Sequence, residues 1–333
     1  MLFSSWASSI DSFNNAFSAI SLKENPEALK SSALNRYPDP NATKLVEGFS
    51  KYFGVNPDCV TAGNGSDEII SVIMNAFLQK GDKILTLEPD FSMYRFYAEI
   101  AECECVKYQK DENLDVNIDD VIALANRENV RIVIFSNPCN PTSRIITKDD
   151  VRKLINSTDA LVVLDEAYMD FAEDESLLGE FENYDNLIIL KTCSKALGCA
   201  ALRLGFAVAN KTLTRVIRAV KSPYNVNSVS QALGEVLFSH PDYIDNCIET
   251  VVNSRKELYS RVLEIKCDKI EKIYETHTNF VFMKVKNAKQ VFDKMKENSI
   301  IIRNMGDYLR ITAGSKEENE KKLETFKKVL EEV

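Results

Sequence analysis

The chain has 333 residues, of which 45% are hydrophobic and 27% charged, and its net charge is −9 with a pI near 5.1. This length exceeds what one core comfortably fills, so we expect two domains, or one large domain with an added lobe. The acidic chain has no basic block, which argues against nucleic-acid binding. No apolar run approaches the about 20 residues that span a bilayer, which argues against a membrane protein.

Cysteine and histidine usage argues for the cytoplasm and against a metal site. The eight cysteines are scattered without a C-x-x-C pair, and there are two histidines, so we expect no metal. Free thiols are typical of a reducing compartment. The first lysine is Lys23, so the N-terminus lacks the charged start of a secretory signal, and we expect a cytoplasmic protein.

Short apolar runs alternate with amphipathic stretches over the first two thirds of the chain. The runs are apolar almost throughout, which is typical of strands covered on both faces, so we predict a mainly parallel α/β sheet. The strand candidates are residues 59–62, 83–87, 104–108, 132–135, 161–164, 187–190 and 205–209. Helices are predicted between them, for example at 67–79 and at 148–156, where Thr147 is a candidate N-cap.

The pattern changes after about residue 220 and predicts a smaller α+β domain. Helices are predicted at 228–238, 242–264 and 316–333, and strands at 279–285, 300–303 and 308–312. We therefore divide the chain into an N-terminal segment, 1–38, that joins the small domain, a large domain, 39–220, and a small C-terminal domain, 221–333.

Polar motifs follow four of the predicted strands, at residues 63–68, 136–142, 165–168 and 191–195. Ligands of open α/β sheets bind at the carboxyl ends of the strands, so these motifs predict one ligand site. Lys195 lies beside two hydroxyls and eight residues before Arg203. Hydroxyls, a guanidinium and helix-start N–H groups form a phosphate pocket, and a lysine near one can form a Schiff base.

Asp165 ends an apolar run, where a buried carboxylate needs a partner. A protonated pyridine nitrogen would serve, and a helix N-cap or a buried ion pair would serve equally well. Asn140 lies in an Asn-Pro-rich loop, which a simple turn also explains.

Taken as an ordered set, Asn-Pro-x-Asn-Pro-Thr, Asp-Glu-Ala-Tyr, Thr-x-Ser-Lys and the later arginine resemble the class I/II aminotransferases of pyridoxal-phosphate (PLP) fold type I. Within them the chain is most similar to the histidinol-phosphate aminotransferase branch, through residues 24–26, 35–39, 63–68, 301–304 and 308–312. The resemblance covers residues from about 22 to the C-terminus. It implies a seven-stranded, mainly parallel sheet covered by helices, a smaller α+β domain, a PLP cofactor, and a homodimer with shared active sites.

The resemblance also implies the residue roles. Lys195 would hold PLP as a Schiff base and move the proton, and Asp165 would pair with the pyridine nitrogen. Asn140 and Tyr168 would hydrogen-bond the ring oxygen, and these four are the predicted catalytic residues. The remaining cofactor contacts are a stacking Tyr94 and a phosphate site formed by Ser66, Asp67, Thr192, Ser194, Arg203 and, from the other subunit, Tyr37.

Three further residues match substrate-binding positions. Arg310 would clamp a carboxylate, Arg303 would meet a substrate phosphate, and Asn25 would lie near the substrate. Glutamate carries a carboxylate, and histidinol phosphate carries a phosphate and no carboxylate. A site that binds both substrates therefore needs one arginine for each kind of anion. A surface strand would also explain Arg303.

The chain departs from this family in three places. In the segment between Lys195 and Arg203 the spacing is kept, so we expect cofactor binding to survive. Only ten residues separate Asn25 from Arg36, so the N-terminal lobe is short and the natural substrate stays open. Ser143 stands where the family has a glycine after Asn-Pro-Thr, and we expect it to alter only a turn.

The leading hypothesis is therefore an aminotransferase that moves an amino group between a donor such as glutamate and a small phosphorylated acceptor, as histidinol-phosphate:2-oxoglutarate aminotransferases do. One alternative is a phospho-amino-acid decarboxylase similar to threonine-phosphate decarboxylase, which shares these motifs. Another is an aminotransferase for a keto-sugar or triose phosphate. A PLP-binding regulator would need a DNA-binding module, and the acidic chain shows no helix-turn-helix before residue 22.

Overall fold

Seven strands form the larger of two sheets in the computed structural model, which describes residues 35–172 and 175–333. The strands are β1 (Val60–Asn64), β2 (Lys83–Glu88), β3 (Glu104–Gln109), β4 (Ile132–Ser136), β5 (Leu161–Asp165), β6 (Leu187–Thr192) and β7 (Leu204–Ala209). Their order is β1-β7-β6-β5-β4-β2-β3, and β7 alone among them runs antiparallel to its neighbours. The predicted mainly parallel, seven-stranded sheet is confirmed.

Helices cover both faces of this sheet, which explains why its strands are apolar throughout. They are α1 (Thr43–Phe53), α2 (Ser66–Phe77), α3 (Met93–Ile100), α4 (Ile118–Glu128), α5 (Lys148–Asn156) and α6 (Lys211–Val220). Successive strand residues point to opposite faces. Val133 and Phe135 of β4 therefore pack in the core that contains α1, α4 and α5, whereas Ile132 and Ile134 pack in the core that contains α2, α3 and α6.

The second sheet has four antiparallel strands in the order β10-β11-β9-β8. They are β8 (Ile270–Ile273), β9 (Phe280–Val285), β10 (Arg303–Met305) and β11 (Tyr308–Thr312). Two helices, α9 (Ala288–Glu297) and α10 (Lys316–Glu332), pack on its core through Val291 and Phe326. The predicted smaller α+β unit is confirmed. β8 was not predicted, because Glu271 and Lys272 interrupt its apolar pattern, and β10 begins about three residues later than predicted.

Two helices lie between the sheets in sequence, α7 (Ser228–Phe238) and α8 (Pro241–Leu263). The first half of α8 contributes Ile244 and Val251 to the core of the large sheet, and its second half contributes Leu258 and Val262 to the core of the small sheet. One helix thus joins both cores. The boundary predicted at residue 220 stays a prediction, and most of the segment 1–38 lies outside the described residues.

In the described part of the chain, no helix combines the length and the apolarity that crossing a membrane would require.

Candidate active site

Three of the four predicted polar motifs begin at the carboxyl ends of neighbouring parallel strands. Ser136, the last residue of β4, is paired with Asp165, the last residue of β5, and Asp165 is paired with Leu190 of β6. The fourth motif follows β1, which β7 separates from β6. Side chains from distant parts of the sequence therefore meet along one rim of the sheet.

Asp165 is a buried acid in the middle of this rim. Only 4% of the residue is exposed, and its carboxylate accepts hydrogen bonds from the Tyr94 hydroxyl at 2.7 Å and from the Ala167 backbone N–H at 3.0 Å. Burial raises the pKa of Asp165, although the Tyr94 hydrogen bond and the charge of Lys195 act in the opposite direction. A cationic partner would compensate this cost of burial. The Ala167 contact is local and lies within the turn that follows β5.

Tyr94 contacts Asp165 from a fully buried position. The residue has no exposed surface, and its pKa is raised, mainly by burial and also by the Asp165 charge. A ring without exposed surface presents no open face to a cofactor. Its predicted stacking therefore stays a prediction, and the contact seen in the structure is the one that orients Asp165.

Lys195 and Tyr168 face each other across the rim. The Lys195 amine lies 5.5 Å from the centre of the Tyr168 ring, and Tyr168 in turn packs edge-on against Phe280 at 5.5 Å between ring centres. Lys195 is partly exposed, whereas Tyr168 is buried. The arrangement leaves an accessible amine near the buried carboxylate of Asp165, as a Schiff-base lysine requires.

The predicted phosphate site forms around the N-terminus of α2. Arg203 contacts Asp67 at 3.3 Å, and two glycines permit this close approach. A Cβ on Gly65, whose φ is +84°, would lie 2.4 Å from the Arg203 guanidinium, and a Cβ on Gly205 would lie 2.3 Å from the Ser66 nitrogen. Backbone N–H groups at a helix N-terminus and a guanidinium together favour an anion.

Thr192 and Ser194 join this site through the sheet register. Thr192 is paired with Gly205, and the Thr192 hydroxyl accepts a hydrogen bond from the Ser194 backbone N–H at 3.1 Å. Gly205 abuts Ser66, so the structure brings together all five phosphate-site residues predicted within one subunit.

Asn140 and Arg310 connect the large sheet to the small one. An Arg310 N–H donates to the Asn140 side-chain oxygen, and the guanidinium lies 4.7 Å above the Phe280 ring. Burial lowers the pKa of Arg310, Tyr168 counteracts this, and the charge of Arg303 lowers it further. Arg303 is the residue opposite Arg310 in the β10–β11 pair, so both side chains are on one face of the hairpin.

Asp90 belongs to the site but was not predicted, and Ser136 was predicted only as part of the 136–142 motif, without a role of its own. The buried Asp90 carboxylate accepts hydrogen bonds from the Phe91 N–H at 2.7 Å, from the Ser136 N–H at 3.2 Å and from the Ser136 hydroxyl. The Ser136 oxygen then accepts from the Asn140 backbone N–H at 3.0 Å. Asp90 follows the end of β2 and Ser136 ends β4, and these positions at the carboxyl ends of strands are what could have predicted their role.

Two predicted residues remain apart from this arrangement. Tyr37 is 81% exposed, and its ring stacks on Tyr224 with 4.5 Å between ring centres. Its proposed role requires a second subunit and stays a prediction. Asn25 lies outside the described residues.

Comparison with known proteins assigns the chain to a family. The family described as aminotransferase class I and II matches residues 11–326. The chain belongs to this family. A histidinol-phosphate aminotransferase from Clostridium kluyveri is 41% identical over 307 residues, which cover 91% of this chain and 86% of that protein. The fold is that of PLP fold type I, and the protein is a PLP-dependent aminotransferase.

Two solved structures share the fold of the aminotransferase. The histidinol-phosphate aminotransferase from Clostridium acetobutylicum has a TM-score of 0.84 at 26% identity and covers 94% of this chain and 95% of that one. The enzyme from Sinorhizobium meliloti, solved in complex with PLP, has a TM-score of 0.84 at 20% identity and covers 92% and 86% of the two chains.

The described residues of the aminotransferase fit PLP by their own chemistry. The glycine-lined cradle beside Arg203 suits its phosphate, and the buried Asp165 carboxylate suits a protonated pyridine nitrogen. An accessible Lys195 amine suits its aldehyde.

Proposed function

We propose that the aminotransferase transfers an amino group between a small phosphorylated amine, histidinol phosphate, and 2-oxoglutarate, which becomes glutamate. The curated relative from C. kluyveri has this substrate in its name, and the chain covers 86% of its length. The single observation that carries the proposal is the pairing of Arg303 with Arg310 on one hairpin, beside Asn140. Two guanidiniums on one face provide for two anions, a carboxylate and a phosphate.

The cofactor would supply an aldehyde that takes up the amino group and a ring that withdraws electrons. Asp165 would keep the ring nitrogen protonated, because a buried carboxylate gains from a cationic partner. The Lys195 amine would hold and move the proton at the substrate carbon. Since Arg310 donates to the Asn140 oxygen, the Asn140 amide N–H groups remain as donors toward the ring oxygen.

We also propose that the enzyme works in the cytoplasm as a homodimer. All eight cysteines are free in the structure, which suits a reducing compartment. The exposed stacked pair Tyr37 and Tyr224 provides aromatic surface of the kind found at interfaces.

The test is a substrate assay with arginine variants. Purified enzyme loaded with PLP should form glutamate from histidinol phosphate and 2-oxoglutarate. Arg303→Gln should raise the KM for histidinol phosphate about tenfold or more and change the KM for glutamate little, because a charged hydrogen bond contributes about 1.5–3 kcal/mol. Arg127→Gln, on the exposed surface of α4, is the matched control.

Other outcomes would point to the alternative reactions. Release of carbon dioxide from a phosphorylated amino acid without a keto acid would identify a decarboxylase. Transfer of the amino group to keto-sugar phosphates or triose phosphates alone would identify an aminotransferase for those substrates. If Lys195→Ala kept its turnover and the absorbance of the lysine-bound cofactor, the assigned site itself would be wrong.

A further inference from the structure

Ser143 occupies a backbone conformation that favours glycine. Its φ is +60°, in the left-handed region, and the residue is fully buried. A serine here keeps a strained backbone conformation, so the side chain must contribute something that a glycine does not.

The Ser143 hydroxyl is fully engaged with a distant segment, residues 276–278. Its oxygen accepts hydrogen bonds from the His277 N–H at 2.8 Å and from the Thr278 N–H at 3.1 Å. The Thr276 and Thr278 hydroxyls lie 3.1 and 2.8 Å away. Thr276 donates its own proton to the Phe280 carbonyl at 2.6 Å, so it is an acceptor for Ser143. The expectation that this departure alters only a turn is therefore too narrow.

The bound segment leads into the strand that contacts Arg310. Residues 276–278 lead directly into β9, whose first residue, Phe280, lies under Arg310 and against Tyr168. Arg255 of α8 fixes the same segment from the other side by donating to the Thr276 carbonyl. Ser143 lies three residues after Asn140. It thus ties the Asn140 loop to the strand that supports Arg310.

We propose that Ser143 is a positioning residue, whose hydroxyl binds the 276–278 segment and thereby holds Arg310 at the Asn140 loop, ready for a substrate carboxylate. This inference rests on the carboxylate-binding role of Arg310 within the proposed function. Without the hydroxyl, the buried Thr278 N–H and the part-buried His277 N–H lose their acceptor, and the segment must rearrange to satisfy them. Arg310 would then have to be ordered again by each substrate that binds.

The test compares Ser143→Gly with Ser143→Ala, both in the PLP-loaded enzyme. Glycine relieves the backbone at positive φ and alanine does not, but both remove the hydroxyl. Both should weaken binding of glutarate, a dicarboxylate without an amine, by about tenfold in calorimetry, because part of the binding free energy is then used to order Arg310 again. The KM for glutamate should rise by a similar factor with kcat nearly unchanged. Amide hydrogen exchange at His277 and Thr278 should accelerate.

Ser299→Gly is the matched control, because Ser299 also has a positive φ of 62° but is exposed at the end of α9. It should leave glutarate binding unchanged. If the two Ser143 variants bind glutarate as the wild type does, or if the wild type does not bind it, the inference is overturned. If glutarate binding weakens as expected but no amino transfer to phosphorylated acceptors occurs, the proposed function fails and the positioning role stands.

Discussion

Asp90 shows how a single buried acid organises the catalytic loop. Its carboxylate holds Ser136, and Ser136 holds the Asn140 backbone N–H. Burial raises the pKa of Asp90 to about 6, against the opposing effects of Lys110 and of the hydrogen bonds from Ser136 and Phe91. The acid therefore titrates in a range in which enzymes are commonly assayed.

Stability should depend on pH through Asp90. A carboxyl whose pKa is raised on folding, from 3.8 to about 6, contributes stability below pH 4 that is lost as the pH rises through about 6. Relative to Asp90→Asn, the wild type should lose roughly 3 kcal/mol of unfolding free energy over this range. Urea unfolding between pH 4 and 7 measures the difference. The exposed Asp242→Asn variant controls for the loss of one charge, and a constant difference would contradict a buried titration.

Asp165 and Tyr94 should differ in their importance for catalysis. Asp165→Asn removes the charge that would face the ring nitrogen and should lower kcat by about 10²–10³. Tyr94→Phe keeps that charge and removes the 2.7 Å hydrogen bond, so kcat should fall by about tenfold. Single-turnover reaction with glutamate measures both. Equal losses of kcat would mean that the Tyr94 hydroxyl, and not the Asp165 charge, makes the main contribution to catalysis.

At the scale of elements, the last helix depends on a capping box. The Ser315 hydroxyl accepts from the Glu318 N–H at 3.2 Å, and the Glu318 carboxylate accepts from the Ser315 N–H at 2.9 Å. This cap starts α10, which buries Leu323 and Phe326 in the core of the small sheet. The many Lys and Glu residues of this helix predict a solvent-exposed face, and they gave no sign of the face that is packed.

Ser315→Ala should lower the unfolding free energy by about 1 kcal/mol, because it removes the acceptor for the first turn. Ser315→Asp keeps an acceptor oxygen at the cap and should remain within a few tenths of a kcal/mol of the wild type. Urea unfolding followed by circular dichroism compares them. A similar loss in both variants would show that the hydroxyl acts outside the cap.

At the scale of the whole molecule, the proposed homodimer with shared sites can be tested by complementation. Lys195→Ala and Tyr37→Ala should each have little activity alone. If Tyr37 serves the site of the other subunit, reassociated mixtures should regain about a quarter of wild-type activity, since half of the dimers would contain one intact site of two. Subunits would be mixed after mild dissociation, with size determined by sedimentation. No recovery in verified mixed dimers would place Tyr37 within its own subunit's site, or outside both.

The sequence alone was sufficient for the strands of the large sheet, for the smaller α+β unit and for most of the polar residues that follow the parallel strands. Strands buried on both faces are continuously apolar. Asp165 ends one such strand and Lys195 lies three residues after the end of another, so local patterns locate them. The link from Asp90 to Asn140 and the link from Ser143 to residues 276–278 depended on the tertiary structure. Their partners lie 46 and about 134 residues apart, and no local periodicity records which distant loops meet. The fold could be predicted because burial leaves an apolar pattern along the chain. The hydrogen bonds that hold the active-site loops join distant residues and exist only after the chain has folded.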